Sequence, residues 1–291
     1  MYDQAERLRR LLQPDRSSLR PATRVITVTS GKGGVGKSNL SLNFALGLAA
    51  ANKRVVVLDA DVGFANIDVL LGRSPRHTLA DLVRQRATIW DILQAGPLGI
   101  HYIAGGSGLQ DLINLQGEQL NYLVDQLEGL QGFADYLIID TGAGLSEGTL
   151  RFILSADEVI VVSTPEPTAI TDAYALIKLV ASQNANKNIQ LVINRAVSPQ
   201  EARQTAEKLA LVAKRFLNLE LQTLGYVLDD PQVQKAVKEQ VPFFIRYPHS
   251  TASRCIEQLV NQQIKNGLAG VPADSGIKSF LSRMVSIFRN R

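Results

Sequence analysis

The chain has 291 residues, 45% hydrophobic and 20% charged, with a formal net charge of +4. That length suffices for one large α/β domain or two smaller ones, and so mild a positive charge permits an acidic partner or an anionic membrane surface without demanding nucleic acid. A single cysteine, Cys255, excludes an internal disulfide framework and a thiolate cluster for zinc or iron–sulfur.

Residues 1–23 form a polar, arginine-rich arm in which Pro14 and Pro21 interrupt any long helix. No apolar run follows Met1, so the arm does not read as a secretory signal. No stretch approaches the roughly 20 apolar residues of a spanning helix. The expectation is a cytoplasmic protein, peripheral on the inner face of the cell membrane at most.

Arg24–Ser30 is β-branched and bounded by a glycine-rich turn, which reads as a buried strand. Leu40, Phe44, Leu46 and Leu48, with alanines between, then give a helix with a broad apolar face. Arg54–Leu58 is a second β-branched run, ending at Asp59. Further strands are expected at Ile100–Ala104, Tyr136–Ile139, Glu158–Ser163 and Ile189–Ile193, and helices at Gln116–Leu130, Thr168–Gln183 and Pro199–Leu217. A strand near Leu224–Val227 precedes the last two helices. Strands that are apolar throughout, each followed by a helix-period segment, indicate an α/β fold with a mostly parallel sheet covered by helices on both faces. No composition break divides 24–266, so it reads as one domain, followed by a glycine-containing linker at 267–276 and a short tail at 277–291.

Gly31-Lys-Gly-Gly-Val-Gly36-Lys37-Ser38 matches the P-loop pattern and lies where that pattern must, after a strand and opening a helix. Its glycines let backbone N–H groups turn inward around phosphate oxygens, and the next helix points its positive end at them. Lys37 is placed to neutralise the β- and γ-phosphates, and the Ser38 hydroxyl to ligate magnesium. Lys32 is not needed for a cradle, and Gly33-Gly34 leave it free to reach outward. With that lysine the segment resembles the deviant Walker-A ATPases, the MinD and ParA group of SIMIBI-type P-loop NTPases, whose signature is Lys-Gly-Gly-x-Gly-Lys-Ser/Thr. The resemblance implies ATP and ADP as ligands with Mg2+, ATP hydrolysis, and a homodimer formed with ATP. In that dimer Lys32 touches the partner's nucleotide and stabilises charge on the transferring phosphoryl group. The nucleotide-binding set is then Gly31, Lys32, Gly33, Gly34, Val35, Gly36, Lys37, Ser38 and Asn39.

Asp59 and Asp61 end the second strand on the same side, at the carboxyl edge where a parallel sheet faces its ligand crevice. The segment Leu58–Gly72 resembles the switch of the MinD group. By that resemblance Asp59 helps to hold the magnesium water shell and Asp61 orients the attacking water, which makes Asp61, Lys32 and Lys37 the catalytic set. Asp68 reads as a solvated turn acid. Tyr136-Leu-Ile-Ile-Asp140 has the form of a Walker-B strand, and its acid completes a metal set of Ser38, Asp59 and Asp140. Thr141-Gly-Ala-Gly144 follows, where MinD-like proteins usually carry a proline-containing second switch; the missing proline favours a relative of MinD. Ser163-Thr-Pro165-Glu166-Pro167-Thr168 resembles the family's strand-end loop near the dimer interface, although its prolines also serve as plain turn formers. Asn194 and Asp229 lie where the family holds the base. An asparagine amide both gives and accepts hydrogen bonds to adenine, and it also serves many ordinary strand ends. His77, His101 and His249 are scattered and show no ligand spacing.

Ile277, Phe280, Leu281, Met284, Ile287 and Phe288 recur at helical spacing, an amphipathic helix of about four turns. Two readings stay open: a helix docked on the domain, or a membrane-surface helix favoured by the linker and by Lys278, Arg283, Arg289 and Arg291. At the other end, Asp3, Gln4, Ala5, Leu8 and Arg9 resemble the N-terminal motif of the FlhG family (also YlxH or FleN), Asp-Gln-Ala followed by a Leu-Arg pair. That resemblance implies binding and stimulation of the GTPase FlhF, control of flagellar number and placement, and flagellar C-ring or switch proteins as partners. The alternatives are a MinD proper, which normally lacks this arm, and a ParA-type DNA-partitioning ATPase, which has no need of the tail. A pure adaptor without turnover is disfavoured by Asp59 and Asp61, and a metallocluster carrier by the lone cysteine.

Overall fold

The expected strands pair side by side in a single sheet. The computed structural model describes residues 22–61, 66–106, 117–268 and 275–289. Asp3, Gln4, Ala5, Leu8 and Arg9 of the arm, residues 62–65 of the switch, Arg291 and the side chains of Phe288 and Arg289 lie outside the described residues.

In chain order the elements are β1 (Arg24–Thr29), α1 (Lys37–Ala50), β2 (Val55–Ala60), α2 (Ile67–Leu70), α3 (Leu79–Val83), α4 (Ile89–Ile92), β3 (Gln94–Ala95), β4 (His101–Ile103) and α5 (Gly117–Glu128). They continue with β5 (Tyr136–Thr141), α6 (Glu147–Ser155), β6 (Glu158–Ser163), α7 (Pro167–Gln183), β7 (Ile189–Ala196), α8 (Pro199–Leu217) and β8 (Gln222–Leu228). The last are α9 (Pro231–Glu239), α10 (Phe243–Arg246), α11 (Thr251–Leu268) and α12 (Ile277–Arg289). The sheet order is β3-β4-β2-β5-β1-β6-β7-β8. All neighbours are parallel except β3 and β4.

Successive strand residues point to opposite faces, and both faces are dry. Ile26, Val28, Val55 and Val57 pack in one core with Phe44 and Leu48 of α1 and Ile256 and Leu259 of α11. Val25, Val56, Leu58 and Ile139 pack in another with Leu123 and Leu127 of α5. Val159, Val161, Leu191 and Ile193 meet α7 and α8 in a third. The chain leaves β1 toward β2 on one side and returns to β6 on the other, so the crevice at the carboxyl ends of β1, β2 and β5 is the topological switch point where open α/β sheets bind ligands.

Several local features differ from the sequence reading. The helices α2, α3, α4 and α6 and the two-residue strand β3 were not expected, and four helices, not two, follow β8. Thr78 and Asp81 form a reciprocal cap on α3, and Thr88 and Asp91 do the same on α4, closing turns too short to show a hydrophobic period. Thr23, assigned to the arm, is buried and donates from Oγ1 to Ala134 O at 2.7 Å. Helix α11 runs to Leu268, two residues into the expected linker.

The tail takes the docked form. Ile277, Phe280, Leu281 and Met284 are buried in the same core as Leu123 and Leu127, and α12 packs on α5 and α6. Ile287 is half-buried. The stripe proposed for lipid therefore faces protein here. Polar contacts fix its start: Ile277 N donates to Gln131 Oε1 at 3.1 Å and Gly276 N to Asp157 Oδ2 at 3.3 Å. Arg283 donates to Ser155 O at 2.7 Å and to Asp157 Oδ1 at 2.6 Å. Among the described residues no helix is long and apolar enough to cross a membrane.

Candidate active site

The loop after β1 is shaped by two close approaches. A Cβ at position 31 would collide with the Asp172 carbonyl of α7, so only glycine lets the loop lie against that helix. Gly36 sits at φ +89°, and a Cβ there would collide with the Asn194 side chain. Gly36 also precedes the first residue of α1, whose first turn has no side-chain cap and no acid. Its N–H groups are thus left for an anion, reinforced by the helix dipole.

Lys37 is buried at the floor of the loop, its Nζ 3.3 Å from Asp140 Oδ1. Ser41, one turn further along α1, donates to the same oxygen at 2.9 Å. Asp59 and Asp140 stand side by side in register on β2 and β5, both fully buried. Asp59 accepts from three backbone N–H groups, those of Asp61 at 3.1 Å, Asn66 at 2.8 Å and Ile67 at 3.1 Å. Burial, and next the charge of Asp140, push its carboxyl up to about 6 against those bonds. Burial also pushes Asp140 up, with Lys37 pulling it down.

Asp140 Oδ2 is buried and has no hydrogen-bond partner. A buried carboxylate oxygen left bare beside a second carboxylate costs free energy unless a cation meets it. Hard oxygen donors with nearby Ser38 match the preferences of Mg2+, so the residues fit that ion.

Asp61 is half-buried, and its Oδ2 accepts from Asn66 Nδ2 at 3.0 Å. A Cβ on Gly142 would sit 3.1 Å from Asp61 Oδ1, so the carboxylate lies against the loop after β5. That loop is tied to the P-loop by Gly144 N donating to Ser30 O at 2.9 Å. The arrangement aims one carboxylate, with a fixed neighbour, across the mouth formed by Gly33, Gly34, Lys37 and Ser38, a space of about 500 Å³.

Lys32 also lines this mouth, and its Nζ lies 3.1 Å from Glu166 Oε2 and 2.7 Å from Thr168 Oγ1, both at the start of α7. Beyond it, Gly33 and Gly34 face open space.

Asn194 and Asp229 line an adjoining crevice of about 390 Å³ with Asn39, Leu40 and Val233, reaching the P-loop at Gly36. Asn194 is already engaged, its Nδ2 donating to Val35 O at 2.7 Å, which leaves its carbonyl oxygen to accept from a ligand. Asp229 is exposed, 3.9 Å from Arg195 Nε. The site thus gathers every expected residue of loop, carboxylates and base crevice. Sequence reasoning missed Asn66 and Ser41 as members of it, and it placed Glu166 and Thr168 in a loop near the dimer interface without pairing them with Lys32. Asn66 carried a signal, five residues after Asp61 at a helix start.

The ParA family model, described as NUBPL iron-transfer P-loop NTPase, matches residues 22–264. The chain is 40% identical to the antiactivator FleN of Pseudomonas aeruginosa over 90% of this chain and 93% of that one. It is 37% identical to the flagellum site-determining protein YlxH of Helicobacter pylori over 90% of each. Its fold is similar to that of the septum site-determining protein MinD of Pyrococcus horikoshii complexed with Mg-ADP, with a TM-score of 0.68 over 85% of this chain and 98% of that one, at 24% identity.

Proposed function

This chain belongs to the ParA and MinD family of P-loop ATPases, and from that premise we propose that it is an ATP-driven dimerising switch regulating flagellar number or placement from the inner face of the cell membrane. The observation that carries the dimer is the rim of the phosphate mouth. Val69 and Val237 are exposed there, among lysines, serines, asparagines and Asp61 that also line the space. Scattered apolar residues on a surface are ordinary; two of them at the lip of a nucleotide mouth support a face covered by a second copy.

Within one subunit the first turn of α1 and the P-loop N–H groups bind and orient the phosphates. Lys37 neutralises charge on them, with Asp140 and Ser41 fixing its position. Asp59, Asp140 and Ser38 would hold Mg2+, which supplies charge neutralisation across the phosphates. Asp61, oriented by Asn66, positions the attacking water and accepts its proton. Lys32 completes the partner's site by offsetting negative charge on the transferring phosphoryl group. Asn194 Oδ1 is the acceptor for an adenine amine, with Asp229 at the mouth of the same crevice.

The flagellar reading rests on the FleN and YlxH relatives together with the arm motif Asp3-Gln4-Ala5 and Leu8-Arg9. The arm is the segment for FlhF, and C-ring proteins are further partners. Release of α12 from its groove would offer Phe280, Leu281 and Met284 to lipid, and two such helices on a dimer bind far better than one through effective concentration. Iron transfer, named in the family description, needs paired thiolates, and Cys255 stands alone. Size-exclusion chromatography of Asp61→Ala with Mg-ATP against Mg-ADP tests the switch, and vesicle sedimentation of the same samples tests the membrane step. One elution volume and one bound fraction for both nucleotides would defeat it.

A further inference from the structure

The residue that gives the P-loop its family signature is held by its own subunit. Lys32 Nζ has three protons to donate, and two acceptors take them in cis, Glu166 Oε2 at 3.1 Å and Thr168 Oγ1 at 2.7 Å. Both acceptors belong to the opening of α7, Glu166 as its N-cap residue and Thr168 one past the first helical position. A carboxylate at that end of a helix is favoured by the helix dipole. Gly31 is pressed against the Asp172 carbonyl of the same helix, which anchors the backbone next to Lys32 within reach of that carboxylate. On its other side Gly33 and Gly34 leave open space, the direction from which a second copy would come.

We propose that Glu166 and Thr168 form a cis latch: α7 holds the Lys32 ammonium in the lone subunit and must surrender it before the lysine can reach a second copy's nucleotide. Glu166 is then a positioning residue that sets the threshold for dimerisation, and it opposes assembly. This rests on the dimer reading above and adds a sign to it. The pair is part-exposed, 37% for the Lys32 side chain and 56% for Glu166, so each latch shifts an equilibrium by at most about fivefold. A dimer opens two latches, giving a ceiling of roughly twenty-five-fold.

The test uses full-length protein carrying Asp61→Ala, with and without Glu166→Gln, in sedimentation velocity with Mg-ATP. Glu166→Gln should tighten the dimer between about threefold and twenty-five-fold, with binding of a fluorescent ATP analogue to dilute monomer unchanged. Thr168→Ala should move it the same way by less, and Thr168→Ser should restore the parent value. Added salt should shrink the difference, since it screens an exposed pair. A dimer that is unchanged or weaker in Glu166→Gln overturns the latch. A second readout needs no dimer: acetylation of Lys32 in nucleotide-free monomer, followed by mass spectrometry, should be faster in Glu166→Gln, and an equal rate overturns the latch as well. If the Asp61→Ala parent fails to dimerise while the acetylation rate rises, the dimer reading falls and the cis contact stands.

Discussion

Replacing Asp157 with asparagine loosens the last helix without altering any residue that would face lipid. Asp157 is 7% exposed and Arg283 34% exposed, with a contact of 2.6 Å. The same carboxylate accepts from Gly276 N at 3.3 Å and from Val25 N at 2.9 Å. Asparagine keeps one oxygen for those backbone donors but turns an amide toward the guanidinium. A charge-assisted bond is worth about 1.5–3 kcal/mol, and the partial exposure of Arg283 reduces this to about 1–2 kcal/mol. The ratio of docked to released tail should therefore fall by roughly five- to thirtyfold. A terminal helix held by four buried apolar side chains and a few polar contacts can detach while the domain stays folded. The assay is hydrogen exchange over 277–289 together with sedimentation on anionic vesicles without nucleotide. Faster exchange and more bound protein are expected, with the urea midpoint of the domain little changed. Unaltered exchange in a folded Asp157→Asn protein would refute the reasoning.

Three further outcomes follow from the site. Asn66→Ala removes the amide that fixes Asp61 but keeps the backbone N–H that binds Asp59, so kcat should drop about tenfold or more with nucleotide affinity retained; full turnover in steady-state assays would remove Asn66 from the machinery. Gly31→Ala meets backbone atoms of Asp172 and Ala173, which cannot swing aside, and should cost about 1–3 kcal/mol in urea unfolding and weaken nucleotide binding. Retention of both would contradict the close approach. Without metal, Asp59 titrates near 6 instead of 3.8, so between those values the folded chain binds more protons than the unfolded one. Its contribution to stability is complete below the unfolded value and is lost as pH rises through about 6. Mg2+ competes with that proton, so the rise in Tm on adding Mg2+ should be larger at about pH 7.5 than at about pH 5.5; an equal rise at both would separate the ion from Asp59.

The sheet was legible in the sequence because its strands are buried on both faces, and a run such as Val55–Leu58 admits little else. The P-loop and both carboxylates were legible because chemistry fixes their spacing relative to a strand end. What escaped was set by contacts distant in sequence. Glu166 and Thr168 meet Lys32 across 134 and 136 positions, and Ser41 meets Asp140 across 99; no local pattern records such meetings. The tail illustrates a different gap. Its period announced an apolar stripe, yet hydrocarbon and the groove of α5 and α6 are equally dry partners, so the spacing could not choose between them. Thr78 with Asp81 and Thr88 with Asp91 did carry a readable signal, a cap repeated ten residues later, for two helices that hydrophobic periodicity alone passes over.

The docking of α12 also has a consequence for whatever remains when it is gone. Leu123 and Leu127 share their core with Phe280 and Leu281, so a subunit whose last helix has been clipped or drawn away keeps a bare oily trough along α5. Water is a poor tenant for such a surface. A chain shortened before residue 275 should therefore be sticky and hard to concentrate, and a membrane-borne subunit would carry on its flank a vacancy fit for another protein's helix.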